Sequence, residues 1–221
     1  MANLLEDTKR EFLKEYRELL IEQGNPIEAI LREDLTPGKI QDIKKSGIPV
    51  LVLDSFVSDW MAVYGTLKVG GVNYKWHLKG KSTYIDTIRM KGYKKCPGLT
   101  STWTGKDEDT TVMDFFKVKP EFMDEVNASI DSLESCYDLG HYTYYCAAAV
   151  PVTLANGETV IAKGYPIPGA FTAAPADHDD YNYSSVKHQA IFNYVKETYP
   201  DTYINFKNFY KNEDHAINQE A

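Results

Sequence analysis

Between residues 3 and 23 the apolar positions Phe12, Leu13, Tyr16, Leu19 and Leu20 recur at three- and four-residue spacing, with Lys, Arg and Glu between them. That is the period of one helical face, so the spacing predicts a helix over 3–23 that Gly24 stops. A second, short helix is expected over 26–32. Thr36-Pro37 then pairs a hydroxyl N-cap with proline at the first helical position, and Gly47 supplies a C-cap. Residues 1–47 therefore read as helical. They hold too few apolar residues for a core of their own, which makes them an appendage laid on a main domain.

The pattern changes at Ile48. Ile48 to Leu53 and Trp60 to Tyr64 are short continuous apolar runs of strand length, and 82–91 and 111–118 alternate. Pro97-Gly98 and the polar stretch 104–110 are connections. Over 120–134 the helical period returns, with Pro120 in the first turn and Phe122, Val126, Ile130 and Leu133 in one stripe. Two strands near 142–153 and 158–166 flank Asn156-Gly157, a strong hairpin signal. Beyond Ala173 the chain turns polar, then a helix is expected over 185–199. A terminal stretch follows with Tyr203, Ile204, Phe206, Phe209 and Tyr210, which should pack on the main domain or a partner. The simplest core for this order is an α+β one: a mixed sheet curling toward a small barrel, with one helix against it.

Composition narrows the function classes. The 221 residues carry a net charge of −8, which gives no overall drive toward phosphate backbones. No run approaches the about 20 apolar residues of a membrane helix. The N-terminus lacks a basic-then-apolar signal pattern, so a cytoplasmic protein is expected, neither membrane-bound nor nucleic-acid-binding. Cys96, Cys136 and Cys146 form no CxxC, and His77, His141, His178, His188 and His215 are scattered. Reduced thiols and no metal site are the expectation.

Two segments can carry chemistry. In Val63-Tyr64-Gly65-Thr66-Leu67-Lys68-Val69-Gly70 a strand ends and the backbone turns through glycines. Such a turn can aim several N–H groups at one anion, although it matches neither GxxxxGK[ST] nor GxGxxG. By spacing alone an ordinary strand exit is the favoured reading. The second is Glu134, four residues after Ile130 and one after Leu133, which puts it at the core-facing edge near a helix C-terminus. Partial burial and the helix dipole both raise a carboxyl pKa there, as a general base near neutral pH requires. The plainer alternative is a solvated helix-end glutamate. Asp124, Glu125 and Asp131 read as charges on the solvated face.

Taken together, these segments resemble the γ-glutamylcyclotransferase-like (AIG2-like) proteins, especially the γ-glutamylamine cyclotransferase branch. Tyr64-Gly65-Thr66-Leu67-Lys68-Val69-Gly70 with Asn73 matches that family's Tyr-Gly-Thr/Ser-Leu-Lys/Arg-x-Gly loop and following Asn. Asp131-Ser132-Leu133-Glu134 matches its Leu-Asp-x-x-Glu-type segment. Tyr142 matches the Tyr that opens the next strand, and Asn156-Gly157 the hairpin. Pro97-Gly98 stands where the family often has a Gly-x-Pro turn. Tyr142-Thr143-Tyr144 lacks the family's Arg, and Met113-Asp114-Phe115-Phe116 replaces a common Gly-Glu-Val-Tyr. The resemblance covers about residues 58–168. It divides the chain into a helical N-terminal extension (1–57), a γ-glutamylcyclotransferase-like domain (58–168) and a C-terminal helical extension (169–221).

The resemblance implies release of 5-oxoproline from a small γ-glutamyl amide or peptide, without metal or organic cofactor. Glu134 is then the general acid/base. Tyr64, Gly65, Thr66, Leu67 and Tyr142 are the substrate-binding residues, and Asn73 orders the loop. Tyr64 and Tyr142 are equally readable as core aromatics. The alternative is a non-catalytic interaction module on the same fold, which binds a protein partner or a second copy through its helical extensions. A nucleic-acid module using Lys91, Lys94 and Lys95 near Tyr93 ranks last.

Overall fold

The computed structural model describes residues 2–22, 24–96, 100–134 and 146–166. Helix α1 (Ala2–Glu22) follows the expected period and buries Leu13, Tyr16 and Leu20. Helix α2 (Pro37–Ser46) begins and ends as its caps require: the Thr36 hydroxyl accepts from the Lys39 N–H at 3.2 Å, and the Gly47 N–H donates to the Ile43 carbonyl.

Among the described residues there are nine strands, in chain order β1 (Glu28–Ile30), β2 (Val50–Val52), β3 (Trp60–Val63), β4 (Ser82–Lys91), β5 (Tyr93–Cys96), β6 (Thr100–Trp103), β7 (Thr110–Val118), β8 (Ala148–Thr153) and β9 (Thr159–Gly164). Seven of them form one mixed sheet in the order β1-β2-β8-β9-β3-β7-β4. The pairs β1/β2 and β3/β9 are parallel, and the other neighbours are antiparallel. Strands β5 and β6 form a separate hairpin. The β8–β9 hairpin turns at Asn156-Gly157, where the Asn156 side chain accepts the Glu158 N–H.

Strands β2, β3, β7 and β8 are covered on both faces, which explains their continuous apolar runs, whereas the edge strand β4 is largely exposed. Leu51, Ala62, Phe115, Ala148 and Val150 point to one side, where α1 and Tyr93 of the β5–β6 hairpin pack. Val50, Val52, Met61, Val63, Phe116 and Ala149 point to the other. There they meet Ile43 of α2 and Val126 and Ile130 of α4 (Met123–Leu133). The period-2 alternation of strand side chains sorts these residues between the two layers. The result is an α+β fold built on a seven-stranded mixed sheet.

Several local expectations are corrected. The helix expected over 26–32 is β1 followed by a 3₁₀ turn at Arg32–Asp34, because Ala29 and Ile30 find a parallel partner in Leu51 and Val52. The 1–57 stretch thus contributes two strands to the sheet, and α1 shares a core with β3, β7 and β8. Helix α3 (Val72–His77) and the β5–β6 hairpin were not anticipated. Over 120–134 a 3₁₀ turn at Pro120–Phe122 leads into α4, and Leu133 lies at the exposed side rather than in the buried stripe. The Pro97-Gly98 turn, the first residues of the strand expected from 142, the helix over 185–199 and the aromatic stretch lie outside the described residues.

Candidate active site

The interior strand β3 delivers Tyr64 at its C-terminal end, and the backbone then folds into a 3₁₀ turn at Gly65–Leu67. Gly65 sits at φ 64, the left-handed region that a side chain disfavours. The loop closes tightly on itself: the Lys68 N–H donates to the Gly65 carbonyl at 3.2 Å and the Gly71 N–H to the Lys68 carbonyl at 2.7 Å. A Cβ on Gly71 would stand 2.2 Å from the Thr66 carbonyl oxygen, so no larger residue fits without moving backbone. Asn73 donates from Nδ2 to the Thr66 hydroxyl at 2.8 Å, in keeping with its expected loop-ordering part.

Asp114 of β7 braces this loop from beneath. It is buried, with one carboxylate oxygen accepting the Val69 N–H at 2.9 Å and the other accepting the Thr87 hydroxyl at 2.6 Å. The Lys68 ammonium lies 3.9 Å from the same carboxylate. Gly65 and Leu67 are buried, and Tyr64 and Thr66 are half-buried.

Glu134 ends helix α4, with its N–H donating to the Ile130 carbonyl at 2.9 Å. Burial of its carboxyl penalises the charged form and pushes its pKa up from 4.5 to about 8. The group is therefore poised to take and return a proton near neutral pH. One turn earlier, Asp131 corrects the sequence reading. Instead of facing solvent, its carboxylate accepts from the Lys163 ammonium at 2.8 Å, the Tyr165 hydroxyl at 2.9 Å and the Ser55 hydroxyl at 2.8 Å. Asp124 and Glu125 are exposed, as expected.

Lys163 is fully buried on the face of β9 that meets α4. Its ammonium also reaches the Asn127 side-chain oxygen at 3.3 Å and lies over the rings of Phe56 and Tyr165. Asn127 in turn is bonded to the backbone of Ser58 and of Met123. Sequence reasoning missed this cluster, although two signals were present. Lys163 interrupts an otherwise apolar strand, and Asp131 follows Asn127 by four residues on the flank of the Val126 and Ile130 stripe.

Tyr165 joins the two segments. Its hydroxyl donates to Asp131 on α4, while its carbonyl accepts the Tyr64 hydroxyl at 2.6 Å. This follows from topology: β3 and β9 are parallel neighbours, so Tyr64 and Tyr165 leave the sheet at the same end. The Tyr64 and Glu134 segments, far apart in sequence, thus meet on one residue and its carboxylate partner. Tyr142 lies outside the described residues. Tyr93 and Lys95 are buried in or beside the core, so the Lys91, Lys94 and Lys95 set does not form one exposed basic face. His77 of α3 contacts the Ser129 hydroxyl at 3.1 Å, and burial lowers its pKa below 6.5.

Among the described residues no three His, Cys, Asp or Glu side chains are grouped to hold a metal ion, and no helix is long and apolar enough to cross a membrane. No family model matches the chain, and no curated protein does. Solved structures similar to it include an uncharacterized protein from Pyrococcus horikoshii, with 21% identity and a TM-score of 0.43 over 60% of this chain and 98% of the other. An AIG2-like protein from Mus musculus has 16% identity and a TM-score of 0.41 over 60% of this chain and 94% of its own. A γ-glutamyl cyclotransferase has 13% identity and a TM-score of 0.34 over 67% of this chain and 85% of its own. At these identities and TM-scores the likenesses assign no activity, and the reading of the site rests on its own residues.

Proposed function

We propose that the protein is a γ-glutamylcyclotransferase-type enzyme that releases 5-oxoproline from a γ-glutamyl amide or peptide, with Glu134 as general acid/base. The observation that carries this reading is that the Tyr64 hydroxyl and Asp131 in the last turn of α4 both bond Tyr165, while burial pushes the pKa of Glu134, which ends that helix, to about 8. The ordered Tyr-Gly-Thr-Leu-Lys-x-Gly and Asp-x-x-Glu segments support it.

The chemistry is an intramolecular aminolysis. The substrate's α-amine attacks its γ-carbonyl carbon. A C–N bond forms to close the five-membered lactam, and the original γ-amide C–N bond breaks. Glu134 takes the proton from the attacking amine and returns it to the leaving nitrogen, so protons balance within one turnover. Backbone N–H groups of Gly65, Thr66 and Leu67 hold the substrate carboxylate or the developing oxyanion. Tyr64 and, by its match to the family segment, Tyr142 are assigned to substrate contact. Folding the glutamyl chain toward the ring lets the site exploit proximity rather than bond polarisation by a metal.

The test is incubation of the full chain with a panel of γ-glutamyl amino acids and γ-glutamyl-lysine amides, with 5-oxoproline quantified. Release is expected from at least one member, and Glu134→Gln should lower it about 10²–10⁴-fold while the protein stays folded. No release across the panel overturns the enzyme reading and leaves the interaction module.

A further inference from the structure

Ser55 is the one non-glycine residue with positive φ, at 58°, among the described residues. A serine there stores backbone strain, which persists only where surrounding contacts over-determine it. Those contacts are visible: the Ser55 side chain is bonded to both oxygens of Asp131, at 2.8 and 2.9 Å, and the residue is buried. Asp131 also receives a fully buried lysine and the Tyr165 hydroxyl. Three residues from two segments outside the helix therefore converge on one carboxylate a single turn before Glu134.

Stability is a weak reason for such a cluster. Removing Lys163 and Asp131 from water is costly, and a buried ion pair often gains little over well-packed apolar residues of similar volume. What an apolar contact does not supply is direction. Here the carboxylate fixes the rotation and depth of the last turn of α4 against β9. Through the Tyr165 carbonyl it holds the Tyr64 hydroxyl, and so the start of the glycine loop. Both arms of the proposed site are referred to one point.

We propose that Asp131, held by Lys163, Tyr165 and Ser55, is a positioning residue that sets the Glu134 carboxyl and the 64–67 loop in one frame. The proposal rests on the cyclotransferase reading for its purpose, but its geometric content is testable without turnover. None of the four residues needs to touch substrate. Loosening the cluster lets water reach the end of α4, which undoes the desolvation of Glu134 and misplaces the base relative to the loop.

The experiment compares the full chain with Tyr165→Phe and with the paired replacement Asp131→Leu/Lys163→Met. Tyr165→Phe removes one hydroxyl and changes no charge, so any shift it causes reports position rather than field. Thermal melting checks folding. Carbon-13 NMR of labelled glutamate, assigned with Glu134→Gln, reads the Glu134 titration midpoint. Turnover of the best γ-glutamyl substrate is followed against pH. The expected result is a folded Tyr165→Phe protein whose Glu134 midpoint falls toward the ordinary carboxylate range. Its kcat should be lower by about tenfold, since misplacing a reacting group costs rate steeply. KM should hold within about twofold, because Tyr165→Phe keeps the backbone carbonyl that holds the Tyr64 hydroxyl and the start of the loop.

The paired replacement should move the midpoint further in the same direction. If it fails to fold, Tyr165→Phe alone decides. A folded Tyr165→Phe protein with an unmoved midpoint overturns the proposal, as does an ordinary midpoint in the unaltered protein. Absence of turnover in the unaltered protein sinks the cyclotransferase reading, while the NMR arm still decides the positioning.

Discussion

The glycine loop and the last turn of α4 are each braced by an acid paired with a buried lysine, yet the two braces are built differently. Asp114 holds the loop mainly by accepting a backbone N–H and a threonine hydroxyl, with Lys68 only at the edge of ion-pair distance, 3.9 Å. Asp131 holds the helix by a direct 2.8 Å ion pair to a lysine with no exposure, joined by two hydroxyls. A loop brace has main-chain donors to satisfy, because the turn has left the sheet ladder. At the last turn of a helix the main-chain N–H groups are already used, so a carboxylate brace must be made with side chains. The second therefore concentrates buried charge, and the two should fail differently.

The largest expected effect follows directly. Asp131→Ala strands the Lys163 ammonium inside the protein and should cost about 3–5 kcal/mol in urea unfolding. Asp114→Ala loses hydrogen bonds beside a less intimate ion pair and should cost about 1–3 kcal/mol. An Asp114 penalty equal to or above that of Asp131 breaks the comparison. Next, Gly71→Ala forces a Cβ against the Thr66 carbonyl at 2.2 Å, and overpacking of this kind costs about 1–3 kcal/mol. Its effect should appear in the loop first, as a raised KM, since the α4 brace is untouched.

A pH prediction sharpens the contrast between the braced acids and Glu134. With a folded pKa of about 8 against 4.5 for the free group, the folded protein keeps a proton that the unfolded chain releases between those values. Its contribution to stability is complete below pH 4.5 and is lost as pH rises through 8. The slope attributable to this group reaches about 1.4 kcal/mol per pH unit, and Glu134→Gln should remove it from unfolding curves measured across that window. In the proposed reaction the sign is opposite: the carboxylate form is the base, so kcat/KM should climb with pH toward a midpoint near 8. The smallest effect is reserved for Ser55→Gly. Relief of the positive-φ strain offsets the lost hydroxyl bonds, and net stability should change by under about 1 kcal/mol.

Much of this architecture is legible along the chain. The α1 period, the Thr36 and Gly47 caps of α2, the strands at 50–52, 60–63, 82–91 and 110–118, and the Asn156-Gly157 hairpin all rest on neighbours within a few residues. The Glu134 carboxyl was expected to be desolvated from its spacing to Ile130, and burial does raise its pKa. Segments whose state depends on a distant partner were misread. Glu28–Ile30 is too short to declare itself and becomes a strand only because β2 lies beside it. Val72–His77 has no apolar stripe long enough to announce a helix.

The Asp131 cluster is the sharpest instance of the same limit. Helical phase places Asp131 on the flank of the stripe, where a carboxylate facing water and one facing a lysine look alike. Lys163 stands 32 residues further on, and only the strand order β8-β9-β3 brings its ammonium beneath α4. Sequence by itself determined the α+β character, the helix limits set by caps and the chemical types available to a site, because these depend on local period and composition. Tertiary structure alone decided which polar groups are partnered away from water, because the free energy of a buried charge is settled by what the fold packs against it.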